Sequence, residues 1–494
     1  MGVFTLAMIN VSAIVSLRGM PAESTYGLSS VFYYIFAAVF FLVPVSLVAA
    51  ELTTGWPQKG GVYRWVGEAF GKKWGFLAIW LQWIESTIWF PTVLTFAAVS
   101  LAFMGPGQRW DEALAANKWY VLIVVLCVYW AATLLNLRGM KTSAGVTKWG
   151  TIIGTIVPGA ILILLGLGYW AGGNPILLDM SWDKLVPDMS NFNNLVLAAS
   201  IFLFYAGMEM SAVHVKDVDN PGRNYPLAIL ISAIITVLIF VLGTLAIGFI
   251  IPNSQINLVQ SLLITYDSYF SFFGLGWMNW ILALALAVGV LAQVTAWVGG
   301  PSKGLYQVGL AGNLPPVMQK RNKNNVQMGI LLIQGGIVTL LSIMFVIMPS
   351  VQSAYQIISQ LTIILYLIMY MLMFASGIYL RYREPNTPRT FRIPGGRTFG
   401  MWVVGGLGLL ASLAAFLVSF IPPNQITVGS STMYILLLVA GTFIFAGIPF
   451  IIHAMAKPSW KRPVDPEDAF EPFGWEKNNG SHSTATPSHT ISHE

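Results

Sequence analysis

Cysteine is almost absent from this chain: Cys127 stands alone in 494 residues. A single thiol excludes an intrachain disulfide and a cysteine-rich metal site. Charge is scarce as well. Asp, Glu, Lys and Arg make up 9% of the residues, against about 25% in a soluble domain. No HExxH or CxxC pattern occurs, and there is no Walker A loop. His214 and His453 stand apart in or near apolar runs. The chain is therefore not expected to be an enzyme or its own ATP-driven pump, and no cofactor or metal is expected.

What is abundant is apolar surface: 56% hydrophobic residues and a mean hydropathy of +0.70. Apolar runs fall near 2–26, 31–54, 74–104, 118–137, 143–171, 192–214, 227–251, 277–299, 328–349, 354–380, 400–421 and 433–455. Each approaches the roughly 20 residues that cross a bilayer. The expected fold class is an all-α membrane protein with twelve transmembrane helices. The first run starts without a basic flank or a cleavage site, so no cleavable leader is expected. With a cytoplasmic N-terminus, 22 of the 26 Lys and Arg lie on the inner side. Only Arg109, Lys118 and Lys184 fall in outer loops, and Arg18 lies inside the first run. This asymmetry predicts cytoplasmic termini. The net charge of +6 is then a feature of the inner surface beside the lipid bilayer, not a nucleic-acid footprint.

The sixth run carries Phe202-Leu203-Phe204-Tyr205-Ala206-Gly207-Met208-Glu209. A glycine and an acid in mid-bilayer weaken a helix and are costly against lipid. One reading is a broken helix whose freed backbone lines a substrate cavity. The other is a tolerated kink with a snorkelling acid. The first run has its own weak point at Ile14-Val15-Ser16-Leu17-Arg18-Gly19-Met20-Pro21, where Pro21 lacks a backbone donor and Gly19 lowers helix stability. Five spans separate the starts of these two helices, so they run in opposite directions. That is the pattern of a five-plus-five inverted repeat, LeuT-like in architecture. Half-helix N-termini at the breaks would offer free N–H groups to a carboxylate. Three regions follow: a ten-helix transport core over 1–380, a cytoplasmic loop with helices 11 and 12 over 381–456, and a flexible cytoplasmic tail over 457–494.

Longer segments carry a family resemblance. They are Gly207-Met208-Glu209-Met210-Ser211-Ala212-Val213-His214-Val215 with Asn220-Pro221-Gly222-Arg223-Asn224-Tyr225-Pro226, and Gly289-Val290-Leu291-Ala292-Gln293-Val294-Thr295-Ala296-Trp297-Val298 with Gly300-Pro301-Ser302-Lys303-Gly304. Arg389-Thr390-Phe391-Arg392-Ile393-Pro394-Gly395-Gly396, and Pro57, Gly60-Gly61, Tyr63 and Trp65, add to them. The chain resembles the amino acid–polyamine–organocation transporters, and among them the bacterial glutamate/γ-aminobutyrate antiporters. The resemblance implies alternating access, a bacterial inner-membrane location, and exchange of an amino acid for its decarboxylated product. It also implies functional pairing with a cytosolic decarboxylase. The oligomeric state stays open.

Residue by residue, the resemblance implies a substrate site at the first-helix break (Val15, Ser16, Arg18) and the sixth-helix break (Tyr205, Ala206, Gly207, Glu209). Gln293 and Trp297 of the eighth span and Tyr366 and Tyr370 of the tenth complete it. Trp297 could instead be a packing or belt tryptophan, and the two tyrosines could be core residues. Lys148 matches a fifth-helix position where an ammonium would replace the sodium ion of sodium-coupled relatives; otherwise it snorkels to the interface. Two departures stand out. Arg18-Gly19-Met20 replaces aromatic and acidic residues, and Gln293 replaces an acid. A buried arginine needs a partner: Glu23, Glu85, Glu209 or a substrate carboxylate. If Arg18 faces the cavity, it favours an acidic substrate by charge-assisted bonding and disfavours a cationic one.

Three of the five histidines, His482, His489 and His493, lie in the tail. They make a pH-sensing tail one expectation, in keeping with the tail plug of the antiporters resembled; a disordered tail is the other. The expected function is therefore exchange of external glutamate for γ-aminobutyrate, acid-activated. A transporter of another neutral or aromatic amino acid, by exchange or proton coupling, is the alternative. A transporter-like sensor is a third reading.

Overall fold

A computed structural model describes residues 2–187, 199–211, 219–423, 430–463 and 469–481. Helix is the only regular structure among them. Ten helices are long and apolar enough to cross a membrane, from Gly27–Gly55 to Ser431–Ala454. The first and sixth expected spans are not among the ten; the first is interrupted, and the sixth, described over 199–211, is interrupted there. The first is helical over Val3–Ile14, extended at Val15 and Ser16, and helical again over Met20–Ser24. Helices Ser200–Tyr205 and Met208–Ser211 flank an extended Ala206 in the sixth.

The longest-buried element is helix Lys72–Ala102, which lies at the centre of the bundle. Helices Asn279–Leu310 and Val351–Arg383 pack along it. Pro91 inside it removes one ladder donor, and Thr95 Oγ1 donates back to the Pro91 carbonyl at 2.7 Å. Helix Asn279–Leu310 also meets the fifth span at Gly289 and Gly154. There a Cβ on Gly154 would fall 2.2 Å from the Gly289 Cα, so only two glycines allow this crossing.

One end of the bundle is tied by a buried charge network. Arg381 is fully buried and its guanidinium pairs with Glu51, with Nη2 to Oε2 at 2.6 Å. The same guanidinium donates to the carbonyls of Ile393, Gly396 and Arg397 at 2.8–3.1 Å. Ile393 N–H donates to Glu51 Oε2 at 2.8 Å. The Arg389–Gly396 segment is thus a strap over the second and tenth spans. A charge pair so buried is tolerated because both carboxylate oxygens accept hydrogen bonds.

The tail departs from expectation where it is described. Residues 470–477 pack on the short helix Val62–Phe70 instead of standing free. Phe473 is fully buried, in a slot over Gly67 where a Cβ would sit 2.4 Å from its ring. Arg64 donates to the carbonyls of Glu471 and Pro472 at 2.5 and 3.2 Å. Glu68 accepts the Gly474 N–H at 2.9 Å, and Trp475 Nε1 donates to the Gly67 carbonyl at 3.0 Å. An arginine, a carboxylate and an apolar slot satisfied together hold this segment against chain entropy. His482, His489 and His493 lie outside the described residues.

Candidate functional site

Between the two breaks lies a narrow cleft lined by residues of both interruptions. Backbone geometry makes it. Val15 N–H donates to Val11 O at 2.9 Å in the last bond of the first half-helix. Gly207 sits at φ +109°, a conformation L side chains rarely adopt. Any Cβ there would also lie 3.2 Å from the Trp297 ring. Pro21 enters the first turn of the resumed helix, where its missing donor costs nothing.

Ser16, Arg18, Ala206, Gln293, Trp297 and Tyr366 all line the cleft. Val15 is buried beside the break, outside that lining. Tyr205 turns away from it: fully buried, its hydroxyl donates to the Tyr34 carbonyl at 3.1 Å. Glu209 and Tyr370 form a brace. Tyr366 and Tyr370 hydroxyls donate to Glu209 Oε1 and Oε2, each at 2.6 Å, and Gln82 Nε2 donates to Oε1 at 3.0 Å. Tyr370 also accepts the Gly207 N–H at 2.9 Å. The i, i+4 tyrosine pair thus ties the sixth-helix break to helix Val351–Arg383.

Arg18 is 4% exposed, and its partner is none of the expected acids. Nη1 donates to the Tyr355 hydroxyl at 3.2 Å. Its guanidinium carbon lies 5.2 Å from the Trp89 ring centroid and 5.8 Å from that of Phe204, within cation–π range. Among the described residues no carboxylate is within ion-pair distance of it, and its Nε has no hydrogen-bond partner. Glu23 instead accepts from Ser200 Oγ.

The chain matches the amino acid permease family over residues 1–445. It belongs to that family. The permease is 40% identical over 451 residues to an uncharacterized transporter of Legionella pneumophila, covering 91% of this chain and 96% of the relative. It is 31% identical to a glutamate/γ-aminobutyrate antiporter of Lactococcus lactis over 457 residues, 92% and 90% of the two chains. A probable agmatine/putrescine antiporter of the same species is 25% identical over 394 residues, 79% and 81% of the two. The permease is therefore a multi-pass membrane transport protein.

Lys148, like Val15 and Tyr205, does not line the cleft. Lys148 of the permease is exposed, and its ammonium lies 5.5 Å from the ring centroid of its own neighbour Trp149. Gly150, two residues on, is the position that packs on helix Asn279–Leu310, against Ala292. The ammonium therefore leaves from a different face. Glu85, Trp89 and Phe204 line the cleft without having been singled out as substrate contacts. Glu85 and Trp89 share one helical face at i, i+4. That face is hard to see because helix Lys72–Ala102 is apolar nearly all round.

Proposed function

We propose that the permease exchanges an external glutamate-like amino acid for its γ-aminobutyrate-like product by alternating access across a bacterial inner membrane. The observation that carries this reading is Arg18: buried, lining the cleft between two helix breaks, and held by a tyrosine hydroxyl and two rings, not by an acid. A guanidinium held this way keeps its charge available to a substrate carboxylate, to which it binds by charge-assisted hydrogen bonds. The likeness to glutamate/γ-aminobutyrate antiporters points the same way. The finer architecture belongs to this reading: twelve spans, a five-plus-five inverted repeat within 1–380, two further helices, and cytoplasmic termini. Pairing with a cytosolic decarboxylase and activation in acid belong to it too. Each turnover would export an amine whose formation consumed a proton.

The test is labelled glutamate uptake into proteoliposomes at pH 5.5 and 7.5. Vesicles are empty or preloaded with glutamate or γ-aminobutyrate. Uptake only into preloaded vesicles, faster at pH 5.5, is the expected result. No glutamate uptake under any loading overturns the substrate. A second reading rests on the indole walls, since Trp89 and Trp297 lie 5.7 Å apart between centroids. That surface suits an aromatic side chain, and competition by phenylalanine but not glutamate would select it.

A further inference from the structure

Glu85 is the second charged group of the cleft and has no assigned task. It is 2% exposed on helix Lys72–Ala102 and lines the same space as Arg18. Its Oε1 has no hydrogen-bond partner among the described residues. The polar neighbours on its own helix are committed elsewhere. Ser86 Oγ and Thr87 Oγ1 donate to the Trp83 carbonyl at 2.8 and 2.7 Å. Gln82 donates to Glu209. Arg18 makes no ion pair with Glu85; it donates to Tyr355 and lies over the Trp89 ring. Of the other acids near the breaks, Glu209 accepts three donors and Glu23 accepts from Ser200 Oγ. A buried carboxylate left without a cationic or donor partner is costly, and the cleft is where such a partner would enter.

The placement of the two charges is informative. Trp89, four residues beyond Glu85, lines the cleft and carries the Arg18 guanidinium on its ring. Acid and base therefore line one cleft, with Trp89 on the helix that carries the acid. We propose that Glu85 binds the substrate ammonium while Arg18 binds a carboxylate, so that the cleft selects molecules carrying both. This rests on the reading of the permease as an acidic amino acid exchanger, and it explains why one site can serve both directions. Removing the α-carboxylate of glutamate as carbon dioxide leaves its amine and its distal carboxylate in place. A pair that reads those two groups accepts substrate and product alike.

The experiment compares glutamate, γ-aminobutyrate and glutarate, which has two carboxylates and no amine, as inhibitors of labelled glutamate exchange in the wild type and Glu85→Gln. Glu85→Gln should weaken glutamate and γ-aminobutyrate by at least about tenfold, the scale of one charged hydrogen bond. Glutarate should be unchanged or improved. An unchanged glutamate-to-glutarate ratio overturns the proposal. Glu85→Asp, which keeps the charge on a shorter stem, serves if the amide variant does not fold. It should weaken the two amines while sparing glutarate, and equal change in all three ligands overturns the proposal. Absence of any glutamate or γ-aminobutyrate exchange by the wild type would instead defeat the functional reading beneath it.

Discussion

At the scale of single residues, the site separates groups that hold the backbone from groups left open. Tyr370 holds: its hydroxyl joins the Gly207 N–H to Glu209 at 2.9 and 2.6 Å. Tyr370→Phe leaves a buried N–H unpaired, which costs about 1–3 kcal/mol. Thermal unfolding in detergent should show that loss, and exchange rate should fall more than glutamate KM rises, because Tyr370 does not line the cleft. Equal damage to KM would place its hydroxyl on the substrate. Lys148 is exposed beside Trp149. Lys148→Ala should leave exchange within about twofold of wild type, as for most surface substitutions. A sodium requirement appearing in that variant would support the ion-replacement role. Arg18 was legible as the residue needing a partner, because a lone guanidinium in an apolar run is conspicuous. Its actual holders, Tyr355, Trp89 and Phe204, were not, because tyrosines and aromatics are common throughout the chain.

At the scale of elements, the weak points of the first and sixth spans were readable from Gly19, Pro21 and Gly207, yet the first break falls earlier than Pro21. Proline suits the first turn of a helix, so it begins the second half, and the extended residues are Val15 and Ser16. The Gly154–Gly289 crossing was invisible, since glycines in apolar runs rarely declare their neighbours. Gly289→Val would drive a side chain against the Gly154 carbonyl, 2.5 Å from a Cβ. Overpacking there should cost about 1–3 kcal/mol or more, read as a fall in Tm.

The docked tail gives a pH prediction. Burial pushes the Glu68 carboxyl above its ordinary range, while the Gly474 N–H and Arg64 pull it back and Glu384 raises it further. Docked, Glu68 holds its proton to higher pH than it would in water. Acid therefore favours docking, and this contribution is lost as pH rises through the raised value. Lys72 pairs with Glu476 beside this contact. Hydrogen exchange of residues 470–477, corrected for intrinsic rates, should be no faster at pH 5.5 than at 7.5. Release in acid would show that other groups, such as the tail histidines, dominate.

At the scale of the whole molecule, membrane class and family were legible because hydropathy and lysine–arginine placement are summed over hundreds of residues. The orientation they predict can be checked in a Cys127→Ser background. A cysteine replacing exposed Lys323 should react with an impermeant thiol reagent only from the cytoplasmic side, and one replacing exposed Lys184 only from outside. Reversed labelling would invert every assignment of side. On the function proposed, substrate choice depends on fewer residues, Arg18 first among them. The most direct test is therefore glutamate exchange by Arg18→Gln beside wild type, with a neutral amino acid as control. Loss of one charged contact, about 1.5–3 kcal/mol, predicts a rise of tenfold or more in glutamate KM and little change for the neutral ligand. A glutamate KM that matches wild type would place Arg18 outside substrate recognition and contradict the account.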